Sequence, residues 1–235
     1  MQVADTIRLA AEARSILSCP AQVELVVDGV PLEGDERTSM REAGAVPTFT
    51  CALDGPLSFA GAAGHEALLT IHSGLGTPGS PARRTTLRVA GSLRTIGREA
   101  CTCCDEIRDL VGLDVTYALL VRSSPDGAPE ERMRVPLAEF RSDVHQLNDG
   151  YLLRSAEHAN LCHQEELRRA VSHRQQVRLR EIVGVQLSGL TRDSVAVDWV
   201  DLDGAHRMHL DFPHPAVTTE ELGMLLRHEL HPGIC

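Results

Sequence analysis

The sequence predicts an α+β protein in which an antiparallel β-barrel domain is followed by a small domain of a helix, a three-strand meander and a second helix. Two observations predict this. Short runs of alternating apolar and polar residues fill the first part of the chain, and turns rich in Gly and Pro separate them. Near residue 141 the chain becomes polar and helix-prone before three further strand patterns follow. We therefore place the domains at residues 1–141 and 142–235.

In the first domain, a helix is predicted over residues 2–18, with Arg14 on its mostly apolar face. Gly91 is the expected bend of a long strand. The predicted strands cover 23–27, 46–53, 57–60, 67–73, 85–97, 114–122 and 132–140. The apolar positions of 98–112 predict a helix, and the polar segment 33–44 predicts a loop.

In the second domain, residues 141–177 are predicted to be largely helical, and a hairpin turn is expected at Asp203-Gly204. A closing helix is predicted from Thr218, because two acidic residues in its first turn favour a helix start. The predicted strands cover 178–190, 193–202 and 206–212.

The charge of the chain disfavours a nucleic-acid partner. Its 235 residues are 43% hydrophobic and carry a formal net charge of -10. This average field repels a phosphate backbone. All 23 basic residues counted as Lys or Arg are Arg, which excludes Schiff-base catalysis by Lys and a phosphate loop with its usual Lys. Arginine nevertheless suits bidentate binding of carboxylates and phosphates.

The cysteines indicate a reducing compartment. There are 7, an odd number with irregular spacing, and no N-terminal apolar export segment is recognised. No apolar run approaches the roughly 18 residues that a membrane helix needs. We therefore expect a cytoplasmic protein without an integral membrane part.

Two stretches carry a resemblance to a known family. Residues 158–163 (HANLCH) are similar to the His-x-Asn-x-Asp-His signature that opens the C-terminal domain of unknown function in HugZ-type haem-utilisation proteins, with Cys162 at the Asp position. Residues 209–213 (HLDFP) resemble that domain's last strand and its Phe-Pro pair. The resemblance implies a pyridoxamine 5'-phosphate oxidase-like, FMN-binding split barrel, a homodimer joined through the barrels, and haem binding.

The resemblance also implies where a cofactor would bind. Segment 57–74 has His65 but no Asn of the kind that flavin-using barrels carry, so a degraded flavin site is expected. By their chemistry alone, Arg83, Arg84 and Thr85 are candidate partners of a flavin phosphate. Haem-degrading members of the family ligate iron through a His in the C-terminal tail. The tail here offers the imidazoles of His228 and His231 and the terminal thiol of Cys235, and each is a chemically competent axial ligand. His231 is the expected ligand of haem iron.

Other His and Cys residues allow two interpretations. His158 and Cys162 lie four apart on a predicted helix and could chelate a soft metal, but a structural role is favoured, with Cys162 as a small apolar residue and hydrogen bonds from the His-x-Asn motif to the meander. Cys101, Cys103 and Cys104 could form a redox or metal cluster, although core packing is favoured for them.

These observations favour binding over catalysis and leave three functions open. The first is a haem-binding or haem-utilisation-related protein. The second is an FMN-dependent oxidoreductase of the split-barrel class. The third is a non-catalytic regulatory protein that binds an enzyme of tetrapyrrole metabolism.

Overall fold

The computed structural model describes residues 3–32, 40–100, 106–124 and 129–230. The chain forms two compact units, Met1–Gly150 and Tyr151–Cys235. Both combine helices with antiparallel sheets, so the α+β class predicted from the sequence is confirmed. Within the described ranges, no helix is both long enough and apolar enough to cross a membrane.

The first unit is a curled antiparallel sheet with three helices. Its strands run in the order β1-β4-β5-β6-β3-β2, and β7 pairs with β6. The strands are β1 (Pro20–Val27), β2 (Met40–Ala43), β3 (Val46–Ala52), β4 (Glu66–Ser73), β5 (Thr85–Ala100), β6 (Ile107–Arg122) and β7 (Glu131–Arg134). The helices are α1 (Val3–Ser18), α2 (Pro56–Ala63) and α3 (Leu137–Phe140).

The strands β5 and β6 form the long central hairpin of the sheet. Their register shifts at Gly91 and again at Gly97, so the expected bend at Gly91 is confirmed. A Cβ atom built on Gly91 would lie 1.9 Å from the carbonyl oxygen of Asp114. The hairpin can therefore bend tightly at this point only with a residue that has no side chain.

The concave face of the sheet is filled by the protein's own apolar side chains. Alternate residues of β4, β5 and β6 point inward and are fully buried, and α1 and α2 cover them. The inward-facing residues include Leu69, Ile71, Leu87, Val89, Leu113 and Leu120. These side chains form the apolar core of the unit.

The helix predicted over 98–112 is wrong. Residues up to Ala100 continue β5, residues from Ile107 begin β6, and 101–105 lie outside the described residues. Cross-strand charge pairing explains the difference, because Arg98 lies opposite Asp109 and donates a hydrogen bond of 2.9 Å to it. The apolar spacing that suggested a helix comes from residues on both arms of a hairpin.

Three smaller predictions in the first unit are also wrong. The strand predicted over 132–140 ends at Arg134, and Leu137–Phe140 form α3. The segment 57–60 is part of α2 instead of a strand, because Pro56 occupies the first helical turn and Gly64 ends the helix with a φ of 73°. In the predicted loop 33–44, residues from Met40 pair with β3 as β2, while 33–39 lie outside the described residues.

A buried cluster around Arg14 joins α1 to the segment after β7. Arg14 is only 2% exposed, and its guanidinium donates to the carbonyl of Phe140 at 3.1 Å and to Glu42 at 2.6 Å. His145 is buried in the same unit, and its Nε2 atom has no hydrogen-bond partner among the described residues. Asn148 donates to the Ser18 hydroxyl at 3.1 Å. These bonds hold the residues after 140 against the first helix.

The second unit has a three-strand meander followed by a closing helix, as predicted, but two helices precede the meander where one was predicted. The helices are α4 (Asp149–Cys162), α5 (Gln164–Gln175) and α6 (Thr219–Leu230). The strands are β8 (Gly184–Ser188), β9 (Ser194–Asp201) and β10 (Gly204–Asp211), paired in the order β10-β9-β8. The expected hairpin at Asp203-Gly204 is confirmed, with Gly204 at a φ of 132°.

The clash at Gly91 generates the first prediction. Gly91→Ala should lower the free energy of unfolding by about 1–3 kcal/mol, because the strands must separate to admit the methyl group. Gly97→Ala is the matched control, since nothing lies within 4 Å of its added Cβ, and it should change stability by about 0.5 kcal/mol or less. Urea denaturation followed by circular dichroism measures both. Equal stability of the two variants would contradict the close approach.

The environment of His145 generates a prediction about pH. Burial lowers the pKa of the His145 imidazole below its usual range, the charge of Arg14 lowers it further, and Glu139 opposes this only in part. Protonation therefore costs more in the folded state than in the unfolded state. The free energy of unfolding should therefore be unaffected by this group above pH about 6.5, and it should fall as the pH drops below that value.

A His145→Asn variant should lose part of this acid sensitivity in thermal unfolding measured between neutral and mildly acidic pH. His65, which is only partly buried, serves as the control when it is replaced by Asn and should retain the wild-type slope. If His145→Asn also retains the wild-type slope, the imidazole does not carry the effect.

Candidate functional site

A row of apolar side chains crosses the convex side of the first sheet. The register pairs Val26 with Leu68. It also pairs Ala90 with both Leu68 and Tyr117. Directly opposed residues share one face of a sheet, so these side chains lie side by side across four strands. Val26 is 64% exposed, Leu68 44% and Tyr117 39%, which makes the row a solvent-facing apolar strip.

Arg88 lies in the next row, in the middle of the sheet. It pairs with Thr70 on β4 and with Leu119 on β6. The side chain is half-buried, yet it makes no ion pair and no hydrogen bond with any residue in the described ranges. A guanidinium that has lost part of its hydration without gaining an anionic partner is suited to bind an external carboxylate or phosphate.

Further polar groups lie on the same side. Arg134 is opposite Leu119, and its guanidinium carbon lies 5.3 Å from the centre of the Tyr117 ring. One row further on, His72 is opposite Thr86, whose hydroxyl lies 3.3 Å from the imidazole Nδ1 atom. This contact fixes the orientation of the ring and leaves the Nε2 atom of His72 without a bond to the described residues.

We call this surface the outer face. Its residues are Val26, Leu68, Thr70, His72, Thr86, Arg88, Ala90, Tyr117, Leu119 and Arg134. It combines an apolar strip with an aromatic ring, two arginines free of carboxylate partners in the described parts of the chain, and one oriented imidazole. Such a combination can bind a flat, mainly apolar molecule that carries acidic groups at its edge.

The predicted phosphate partners Arg83 and Arg84 both lie in a short 3₁₀ turn before β5. Arg83 donates to the carbonyl of Ser73 at 3.2 Å, and Arg84 donates to the carbonyl of Gly79 at 2.6 Å. The Arg83 guanidinium thus binds the end of β4, and the Arg84 guanidinium binds the backbone of its own loop. Their role toward a cofactor stays a prediction.

The predicted tail ligands belong to the second unit. His228 lies in the last turn of α6, largely exposed, with its Nε2 atom 4.0 Å from a carboxylate oxygen of Glu229. His231 lies outside the described residues, as does Cys235. The assignment of either imidazole to iron stays a prediction.

The His-x-Asn motif has a structural role that is visible in detail. Asn160 donates to the carbonyl of Leu187 at 2.9 Å and accepts from the Leu187 N–H at 2.7 Å. Gln164 extends this by donating to the carbonyl of Val185 at 2.8 Å. These amides bond to the free edge of β8 as a neighbouring strand would. The favoured structural interpretation of the motif is therefore confirmed for Asn160.

The other residues of the motif behave differently. Cys162 is exposed, so the expectation that it packs as a small apolar residue is wrong. The rings of His158 and His163 meet edge to face with centroids 5.2 Å apart. Among the described residues no group of three or more potential ligands could hold a metal ion, and Cys101, Cys103 and Cys104 lie outside them.

The meander contains two polar clusters that the sequence analysis missed. Asp201 accepts from Trp199 at 3.3 Å and contacts the Nε2 atom of His206 at 2.8 Å, while the Trp199 and His206 rings stack. Burial would raise the pKa of Asp201, but these bonds outweigh it and lower the pKa. On the opposite side of the sheet, Arg207 holds the pKa of Asp198 at about 2 through a bidentate ion pair.

The outer face was also missed, although its signal is present in the sequence. Alternation in β4 and β5 places Leu68 and Arg88 on the other face of the sheet from the inward-facing residues. The order of the strands cannot be obtained from alternation alone. Without that order, four apolar residues from distant segments do not form a recognisable row.

Comparisons with known proteins do not identify a family. No family model matches the chain, and no curated protein matches it significantly. Among solved structures, a haem-binding protein from Mycobacterium smegmatis is similar over 95% of this chain and 96% of its own, with 12% identity and a TM-score of 0.40. A protein of unknown function from Agrobacterium tumefaciens covers 98% and 97%, with 15% identity and a TM-score of 0.37.

A third similar structure, a general stress family protein from Xanthomonas campestris, matches 53% of this chain and 92% of its own, with 16% identity and a TM-score of 0.34. Likenesses at this level do not indicate the function of this chain.

The amide contacts at β8 generate a prediction for the second unit. Asn160→Ala should destabilise this unit by about 1–3 kcal/mol, because the edge strand loses two hydrogen bonds. The sequence has 1 Trp, at position 199 in β9, so Trp fluorescence during urea denaturation reports on this unit. Cys162→Ala, on the same helix but exposed, should leave the transition unchanged. A similar effect of the two substitutions would refute the edge role of Asn160.

Proposed function

We propose that this protein binds haem, or a closely related acidic tetrapyrrole, on the outer face of its first unit, which would be a split barrel with a degraded flavin site. The observation that carries the proposal is Arg88, a half-buried guanidinium at the centre of a sheet without an anionic partner in the described ranges. A tetrapyrrole propionate would supply the missing carboxylate.

The apolar strip supports the same ligand. Leu68 and Tyr117 expose aliphatic and aromatic surface beside the row that contains Arg88. A porphyrin needs such a flat apolar surface for its ring and cationic groups at the propionate edge. Arg134, next to Tyr117, is the second cation available for an acidic group.

Bound haem would supply an iron centre, and the protein's part would be to orient the ring and to provide an axial imidazole. The tail residues His228 and His231 are the proposed ligands on the basis of the family resemblance. His72 is the imidazole that the outer face itself presents, with its Nδ1 atom held by Thr86.

A homodimer joined through the first units belongs to the same proposal. The exposed strip of Val26, Leu68 and Tyr117 is the kind of surface that a second copy would cover. A ligand on the outer face would then lie between two copies, shielded from water on both sides.

The first experiment is a titration of the purified protein with haemin and with iron-free protoporphyrin. Arg88→Leu should weaken the binding of both ligands about 10–100-fold, since a charged hydrogen bond contributes about 1.5–3 kcal/mol. Arg8→Leu, an exposed arginine of the same unit, is the matched control and should bind like the wild type. If Arg88→Leu binds as tightly as Arg8→Leu, the outer face is not the tetrapyrrole site.

The second experiment identifies the iron ligand from the Soret band. Either the double variant His228→Ala/His231→Ala or the variant His72→Ala should abolish the shift seen with haemin while retaining affinity for protoporphyrin. Unchanged spectra in both variants would refute histidine ligation. FMN is titrated in parallel, and binding of FMN without any tetrapyrrole binding would replace the haem proposal with the flavin alternative.

A further inference from the structure

The strand β10 leaves a free edge on the sheet of the second unit. Phe212 donates from its N–H to the carbonyl of Asp193 at 2.7 Å, in register with the β9–β10 ladder. The backbone N–H and C=O groups of the even-numbered residues of β10 therefore point toward β9. The backbone groups of the odd-numbered residues point away from β9, and these residues are Ala205, Arg207, His209 and Asp211. Their side chains are exposed, and their outward N–H and C=O groups bond to nothing in the parts of the chain that the structure describes.

The two edges of this sheet are treated differently. At β8, Asn160 and Gln164 occupy the outward backbone groups with side-chain amides, which prevents another strand from pairing there. No described side chain protects β10 in this way. An eight-residue strand from Gly204 to Asp211 therefore presents a regular series of unpaired donors and acceptors.

The outward residues of β10 are complementary to themselves. If two copies of β10 run antiparallel about a two-fold axis at His209, each Arg207 lies opposite the Asp211 of the other copy. Both residues of each pair are on the same side of the sheet, about 5.5 Å apart at their Cα atoms. Arg207 uses its Nε and Nη2 atoms to bind Asp198, so its Nη1 atom is the donor left for Asp211 of the other copy. Asp211 has no ion-pair partner of its own within the described chain.

We propose that β10 pairs with the β10 strand of a second copy of this chain and joins the two meanders into one continuous six-stranded sheet. The hydrogen-bonded pairs are Arg207 with Asp211, His209 with His209, and Asp211 with Arg207. This contact is separate from the outer face of the first unit and does not depend on haem binding. The mass of the assembly should therefore be twice that of a variant in which β10 cannot pair.

The register is tested by cysteine cross-linking of the full-length protein. His209→Cys places two thiols opposite each other at the two-fold axis, within the Cα separation that a disulfide accepts, about 4.4–6.8 Å. Under mild oxidation this variant should form a covalent dimer that dithiothreitol separates. Arg207→Cys is the matched control, because its two copies lie about 14 Å apart along the strands and should not cross-link. The wild-type protein accounts for cross-links through its own cysteines, including the exposed Cys162.

The pairing itself is tested by light scattering after size-exclusion chromatography. Asp211→Arg brings like charges together at both ends of the contact and should halve the mass over a dilution series. Asp203→Arg makes the same charge change in the exposed turn outside the paired stretch and should keep the wild-type mass. Trp fluorescence confirms that each variant remains folded.

An unchanged mass for Asp211→Arg, or equal cross-linking of the two cysteine variants, would overturn the proposal. Haemin binding by Asp211→Arg should equal that of the wild type. Loss of the β10 contact and loss of the haem site are thus separate results.

Discussion

The pairing of β5 with β6 is the contact on which the sheet of the first unit depends. Each strand is 16 residues long, and the other strands of the sheet extend from this pair on both sides. Their inward residues are buried and apolar, so the described residues of these two strands present polar groups to solvent on the convex side. The outer face is a candidate site for this reason, and its strip crosses the same hairpin at Ala90 and Tyr117.

Guanidinium groups provide much of the polar structure in both units. Arg14, Arg174 and Arg192 each donate to backbone carbonyls far away in sequence, and the first two also bind a carboxylate. Arginine is suited to this use because its fixed fork can reach several acceptors at once. Arg88 differs from these three residues, because it is half-buried and bonds to no described residue. This difference makes Arg88 a candidate for binding an external anion.

The sequence predicted the fold better than it predicted the site. Alternation identified β3, β4 and β10, and the Asp203-Gly204 turn identified a hairpin, because these signals are local. The prediction of a helix over 98–112 failed because apolar residues on two arms of a hairpin have the spacing expected of a helix. The prediction of a strand over 57–60 failed because the run of apolar residues was given more importance than Pro56 and Gly64, which are typical of helix ends. The outer face depends on strand order, which arises from long-range pairing and has no local signature.

The alternation of β4 and β5 also separates two kinds of evolutionary constraint. Substitutions at inward positions such as Leu69 or Val89 alter the core and are limited by folding. Outward positions such as Leu68 or Thr70 lie outside that core. The chemistry of the convex side can therefore change through single substitutions without loss of the scaffold.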